Sequence, residues 1–167
     1  MIVFLETSRL YLYQLTKDFC NENYNTWLHD KEVNRFLDTG DFPLSVSDLE
    51  TYVEKTHSNT IFLAIVIKES NKHIGNIKIE SIDFKNGIAD YGIMMGYKKE
   101  WGKGYAKEAS LVVLDHCFSR LNLRKITLAV VEDHKNAVEL YKKIGFKIEG
   151  LLVKHSYFNG DFRNTYN

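Results

Sequence analysis

The chain is poor in the residues that mark special environments. Cysteine occurs twice, at Cys20 and Cys117. They form no Cys-x-x-Cys pair that would point to zinc or redox chemistry, and both are expected to be buried thiols. Proline occurs once, at Pro43. Excess charge of either sign is missing, because 22 Lys and Arg balance 22 Asp and Glu. No global basic field is available to a nucleic-acid backbone, so direct nucleic-acid binding is not expected. No run approaches the roughly 20 apolar residues needed to cross a bilayer. The apolar start, Met1 to Glu6, is too short for a signal peptide and lacks its basic flank. A cytoplasmic protein without a membrane partner is the expectation. The six histidines show no tight ligand spacing, so no metal is expected.

What is present suits one compact domain over residues 1–167. The hydrophobic fraction is 44%, enough for a sizeable core. Arg9 to Leu15 alternates and reads as a strand. Phe19 to His29 reads as a helix, with a shorter one over Lys31 to Leu37. A further helix is capped by Ser47 or Asp48 and runs to about His57. Thr60 to Lys68, Lys72 to Ser81 and Ile88 to Met95 read as strands, the last two joined by the hairpin signal Asn86-Gly87. Tyr105 to Leu121 reads as a largely buried helix, because Glu108, Asp115 and Ser119 fall within about 40° on a helical wheel. Lys125 to Val131 reads as a strand and Asn136 to Ile144 as a helix stopped by Gly145. Phe146 to Lys154 and Ser156 to Tyr166 read as strands, with Asn159-Gly160 as a hairpin turn. The expected fold is α/β, a mixed sheet flanked by helices.

The stretch Trp101-Gly102-Lys103-Gly104-Tyr105-Ala106 stands between a strand and a helix. Gly102 and Gly104 let the backbone curl and approach a ligand. The helix that follows offers unpaired N–H groups and the positive end of its dipole. Together they favour an anion, and Lys103 adds a charge. A P-loop is excluded, because no glycine stands four residues before a Gly-Lys-Ser/Thr. A dinucleotide fingerprint is disfavoured, because Lys107 stands where its third glycine belongs.

A second stretch runs from Asn136-Ala137 through Leu140-Tyr141 to Gly145-Phe146. With it the chain resembles the GNAT superfamily of acyl-CoA-dependent acyltransferases. Trp101 to Ala106 resembles that family's Gln/Arg-x-x-Gly-x-Gly/Ala motif, with Trp101 at the Gln/Arg position. Asn136 to Phe146 resembles its Asn-x-x-Ala-x-x-Leu-Tyr-x-x-x-Gly-Phe pattern, without the spacer after Asn136. The variant with tryptophan is similar to the branch of ribosomal-protein N-terminal and amino-sugar acetyltransferases. The resemblance implies a GNAT fold, mostly antiparallel, with a splayed parallel pair made by Ile88–Met95 and Lys125–Val131.

It also implies acetyl-CoA as acyl donor and an amine as acceptor. The loop Trp101 to Ala106 would hold the pyrophosphate, the main chain at Ile93, Met94 and Met95 the pantetheine arm, and the Asn136 side chain the cofactor. Tyr141 would protonate the leaving thiolate, although in an amphipathic helix it also reads as a packed aromatic. Asp90 and Glu80, on the two strands joined by the Asn86-Gly87 turn, could relay a proton from the amine through water. Each also reads as a structural or solvated carboxylate. This weak base signal suits an amine that is not very basic: deprotonation at pH 7 costs roughly 4–5 kcal/mol for a lysine but only about 1 kcal/mol for an α-amine. The acceptors implied are a protein N-terminal amine, such as that of a ribosomal protein, or a nucleotide-linked amino sugar or other small amine. A non-catalytic acyl-CoA-binding module is the reading from another class. Tyr24, Trp27 and Phe36 could line the acceptor pocket or belong to the core. Many family members dimerise, so a homodimer is compatible with this reading.

Overall fold

The computed structural model describes residues 2–37, 39–55, 59–158 and 160–167. The chain divides into two compact units, Met1–Ile126 and Thr127–Asn167.

The first unit is organised by a six-stranded sheet. Its strands are β1 (Val3–Glu6), β2 (Leu10–Gln14), β3 (Ile61–Ile67), β4 (Lys72–Asp83), β5 (Ile88–Met94) and β6 (Lys125–Thr127), in that spatial order. Pairing is antiparallel from β1 to β5, and the sheet holds one parallel pair. The β-branched run of β3 is buried on both faces, as expected for a central strand covered on two sides.

Strand periodicity assigns the faces. Phe62, Ala64 and Val66 pack with Tyr24, Trp27 and Leu28 of α1 (Glu22–His29) and with Leu49 and Val53 of α2 (Val46–Lys55). Leu63, Ile65 and Ile67 face the other way. There Tyr91 of β5 hydrogen-bonds Ser110 of α3 (Tyr105–Ser119) at 2.6 Å. The buried side of α3 carries Ala109, Ser110, Val113, Leu114 and Cys117.

Several local expectations are corrected. The first helix begins at Glu22, capped by Asn21, whose side chain accepts from the Tyr24 N–H; Lys17–Phe19 is a separate 3-10 turn. Lys31 to Leu37 forms turns instead of a helix. At α2 the cap is Ser45, not Ser47 or Asp48. Its Oγ accepts from the Asp48 N–H at 3.2 Å, and the Asp48 carboxylate accepts from the Ser45 N–H at 2.9 Å, a reciprocal capping box with Asp in the acidic position. His57, the expected end of this helix, lies outside the described residues.

The second unit contains β7 (Val130–Val131), α4 (Lys135–Lys143), β8 (Leu151–Phe158) and β9 (Asp161–Tyr166), with sheet order β7-β9-β8. Two expectations change here. Lys125 to Val131 is not one strand: it breaks at Leu128-Ala129, and its halves join different sheets. The penultimate strand starts at Leu151 instead of Phe146 and includes Ser156 to Phe158. A bulge interrupts β8, where Lys154 has φ of 50° and its N–H donates to the Asn164 side chain.

Candidate active site

β5 ends at Met94, and the chain turns through a 3-10 turn, Lys98–Glu100, into the glycine loop. Gly102 and Gly104 have φ of 76° and 84°, a left-handed conformation that strains any residue with a Cβ. Gly104 directly precedes α3, and no side chain caps that helix. Its first-turn N–H groups and dipole are therefore offered to a ligand, which fits an anionic phosphate group.

The loop is held from several sides. The Tyr97 N–H donates to Ile74 O at 3.1 Å. Lys98 pairs with Asp30 at 2.7 Å and Glu32 at 3.0 Å. The Trp101 indole N–H donates to Met95 O at 2.7 Å. Lys103 pairs with Glu100 at 2.7 Å, so its charge is already partnered.

Arg9 is an organiser that motif reading missed. Its guanidinium donates to Lys103 O at 3.0 Å and pairs with Glu108 at 2.6 Å, and it stacks over the Tyr105 ring at 4.4 Å. Glu108 also accepts from the Thr7 hydroxyl at 2.5 Å and the Arg9 N–H at 3.0 Å. Burial opposes the Glu108 charge, but these donors outweigh it and hold its pKa below the usual carboxylate value. The Thr7-Ser8-Arg9 segment thus clamps the start of α3. The signal in the sequence was an acidic residue one turn into the helix, without its partner.

On the α1/α2 face of the sheet lies a cavity of about 440 Å³, within the range of small-molecule sites. Its floor is Phe62, Asn76, Lys78, Gly92 and Met94; Tyr24 and Leu28 of α1 and Leu49 and Tyr52 of α2 contribute walls. Ile93 lines it as well. Trp27 is core, 6% exposed, and Phe36 is not among the lining residues. Lys78 pairs with Glu80 at 2.6 Å and donates to the Tyr52 hydroxyl at 3.0 Å. Burial works against its charge, yet these partners raise its pKa overall, so the pocket contains a cation as well as the Asp48 carboxylate, whose pKa the Ser45 hydrogen bonds lower. Burial pushes the Tyr24 phenol well above its ordinary value, an effect the neighbouring Asn76 side chain partly offsets. The phenol is therefore neutral in the working range.

Asp90 and Glu80 are brought face to face across β4 and β5. Neither lines the cavity, and Glu80 is the partner of Lys78. Met95 O already accepts from Trp101. In the second unit, Asn136 is exposed at the start of α4. Tyr141 stacks edge-on against Phe146 at 5.9 Å, and burial pushes its phenol up to about 12. No helix is long and apolar enough to cross a membrane, among the described residues.

Similarity to known proteins first gives the class. An uncharacterized N-acetyltransferase, YokL, from Bacillus subtilis is 31% identical over 80% of this chain and 75% of its own length. The spermidine N(1)-acetyltransferase of Vibrio cholerae is 31% identical over 70% of this chain and 66% of its own. The chain is an N-acetyltransferase acting on amines. Residues 9–147 match the acetyltransferase (GNAT) domain model, and the chain belongs to the GNAT family. The crystal structure of the Vibrio cholerae spermidine enzyme with CoA and spermine superposes with a TM-score of 0.86 at 25% identity, covering 96% of this chain and 94% of that one. RimL, a ribosomal L7/L12 α-N-protein acetyltransferase crystallised with coenzyme A, shares the fold, with a TM-score of 0.86 at 16% identity, covering 99% and 96%.

Proposed function

We propose that the chain transfers acetyl from acetyl-CoA to the α-amine of a polypeptide N-terminus, such as that of a ribosomal protein. The observation that carries the acceptor assignment is the chemistry of the β5 pocket. Its walls are mainly apolar and aromatic; its charged lining residues are Lys78, paired with Glu80, and Asp48, whose carboxylate accepts from Ser45. A polyamine carries several charges along its length and would meet, among the described residues, a single lining carboxylate, Asp48, already bonded to Ser45, with the Lys78 cation in the same lining. An α-amine with an apolar substituent matches the apolar and aromatic walls. Asp90 and Glu80 both lie outside the lining, and the carboxylate that does line it, Asp48, is bonded to Ser45 with its pKa held low, so an amine that is neutral without a strong base suits the site; only a water relay would give Asp90 and Glu80 a part.

The left-handed glycines and the uncapped start of α3 support Trp101 to Ala106 as the pyrophosphate cradle. Tyr105 and Ala106 supply N–H groups of the first helical turn there, and Lys103, paired with Glu100, stands at its rim. The β5 main chain at Ile93, Met94 and Met95 would hold the pantetheine arm, and Asn136 a further part of the cofactor. Acetyl-CoA supplies the activated thioester: the neutral amine forms the C–N bond as the C–S bond breaks, the nitrogen gives up its surplus proton to water, from which the Tyr141 phenolate is later reprotonated, and coenzyme A leaves as thiolate. The Tyr141 phenol, protonated at neutral pH, donates its proton to that thiolate.

A second reading, a polyamine acceptor, is favoured by the spermidine acetyltransferases among the relatives. The test is a panel of N-terminal peptides, spermidine and a nucleotide-linked amino sugar, incubated with acetyl-CoA. Thiol release and a mass gain of one acetyl group are the readouts. Turnover of peptides is expected. Turnover of spermidine or the amino sugar alone would exclude the N-terminal reading, and coenzyme A binding without any turnover would leave a binding module.

A further inference from the structure

Asn76 lines the pocket at 3% exposure; its side-chain nitrogen completes no hydrogen bond, and the Tyr24 phenol, whose pKa it lowers, is a polar neighbour that also lines the pocket. The orientation of the amide follows from its neighbours. His73 Nε2 lies 3.0 Å from Gly75 O and 2.8 Å from Asn76 Oδ1. The Gly75 carbonyl can only accept, so Nε2 carries the proton. The Asn76 atom facing the same N–H must then be the oxygen, which leaves Nδ2 as the orphan.

The His73 ring is fixed in turn. It stacks against Phe19 at 5.1 Å, Trp27 at 4.9 Å and Tyr24 at 5.8 Å. His73 itself is not part of the pocket lining, so the amide turns its oxygen toward the core. An unpaired, desolvated donor is costly in a protein interior. A ligand oxygen in the pocket would satisfy it. In register, Asn76 stands opposite Met94 at the end of β5.

We propose that Asn76 Nδ2 donates to a carbonyl oxygen next to the acceptor amine, so that the pocket selects an α-amino carbonyl compound with a large apolar side chain. Polypeptide N-termini and free aminoacyl amides share this chemistry. The inference rests on the acetyltransferase reading above and narrows its acceptor. His73 is a positioning residue, since it holds the amide oxygen and thereby aims the nitrogen.

The experiment compares phenylalaninamide, a phenylalanyl peptide and 2-phenylethylamine, which lacks the carbonyl, in wild type and in Asn76→Asp. The aspartate keeps an oxygen for His73 but replaces the donor with a second acceptor. All three amines are measured at one pH, so their different basicities cancel when the variants are compared. The ratio of kcat/KM for amide over amine is expected to fall about tenfold or more in Asn76→Asp, with coenzyme A affinity unchanged. Asn76→Leu, similar in shape and without a donor, should lower the same ratio. A peptide far better than phenylalaninamide would assign the site to polypeptides, and equal rates to the aminoacyl unit alone; both support the carbonyl contact. An unchanged ratio in both variants overturns the inference while the acetyltransferase reading stands. Spermidine turned over faster than all three overturns it as well. If wild type acetylates no amine, the acetyltransferase reading fails first, and with it the inference.

Discussion

The glycine loop and the β5 pocket are built on opposite principles. The loop is exposed and shaped by backbone: two left-handed glycines, an uncapped helix start, and carbonyls tied down by Arg9 and Trp101. The pocket is shaped by side chains from α1, α2 and the sheet, and its Asn76 amide is oriented by a caged histidine. A group common to every acyl-CoA donor can be met by main-chain N–H groups, which almost any sequence around the glycines supplies. Selecting one acceptor requires particular side chains in particular places.

If that contrast is right, the two halves should fail differently. The largest effect is expected for Tyr141→Phe, which removes the acid proposed to serve the leaving group. Its kcat should drop by about 10²-fold with coenzyme A affinity unchanged, read by thiol release and calorimetry; full turnover would remove Tyr141 from the chemistry. On the acceptor side, Gly96 lies against the Trp27 ring, and a Cβ there would overlap the indole. Gly96→Ala should cost about 1–3 kcal/mol by overpacking, measured by urea denaturation. A neutral result would mean the aromatic cage yields easily.

The smallest effect is a pH dependence that separates the halves. Burial lowers the His73 pKa, so the unfolded chain takes up a proton that the folded chain resists. That stabilisation is complete above about pH 6.5 and is lost as pH falls below it, toward the folded value. Glu108, held below its ordinary value, contributes stability above about pH 4.3 that is lost as pH falls through its folded pKa. His116 is lowered by burial and by Arg120 and acts in the same direction as His73. Melting temperatures from pH 7.5 to 4 should therefore decline in two stages. His73→Gln should shrink the upper stage to the part that His116 contributes, and Glu108→Gln should flatten the lower. A single stage unaffected by either change would break the comparison.

The same contrast explains what could be read from the chain. The loop was legible because glycine spacing ahead of a helix is a local pattern. The central strands and α3 were legible through their periodicity. β1 escaped because Val3–Glu6 is only four residues long, too few to show alternation. The break at Leu128-Ala129 escaped because no glycine or proline marks it, and an apolar run reads as one strand until its partners are known. Arg9 and Asn76 escaped for a deeper reason. Their roles come from residues far away in sequence or from register: Arg9 meets Glu108 across 99 positions, and Asn76 faces Met94 only through the β4/β5 pairing.

The chain's two tryptophans fall one to each half of this arrangement. Trp101, 40% exposed, is pinned to the end of β5, while Trp27, 6% exposed, walls the histidine cage. The molecule thus carries two intrinsic fluorophores with different solvent access. A soluble quencher should reach Trp101 first. With each tryptophan replaced in turn by phenylalanine, one emission signal would follow donor binding and the other acceptor binding, with no label attached.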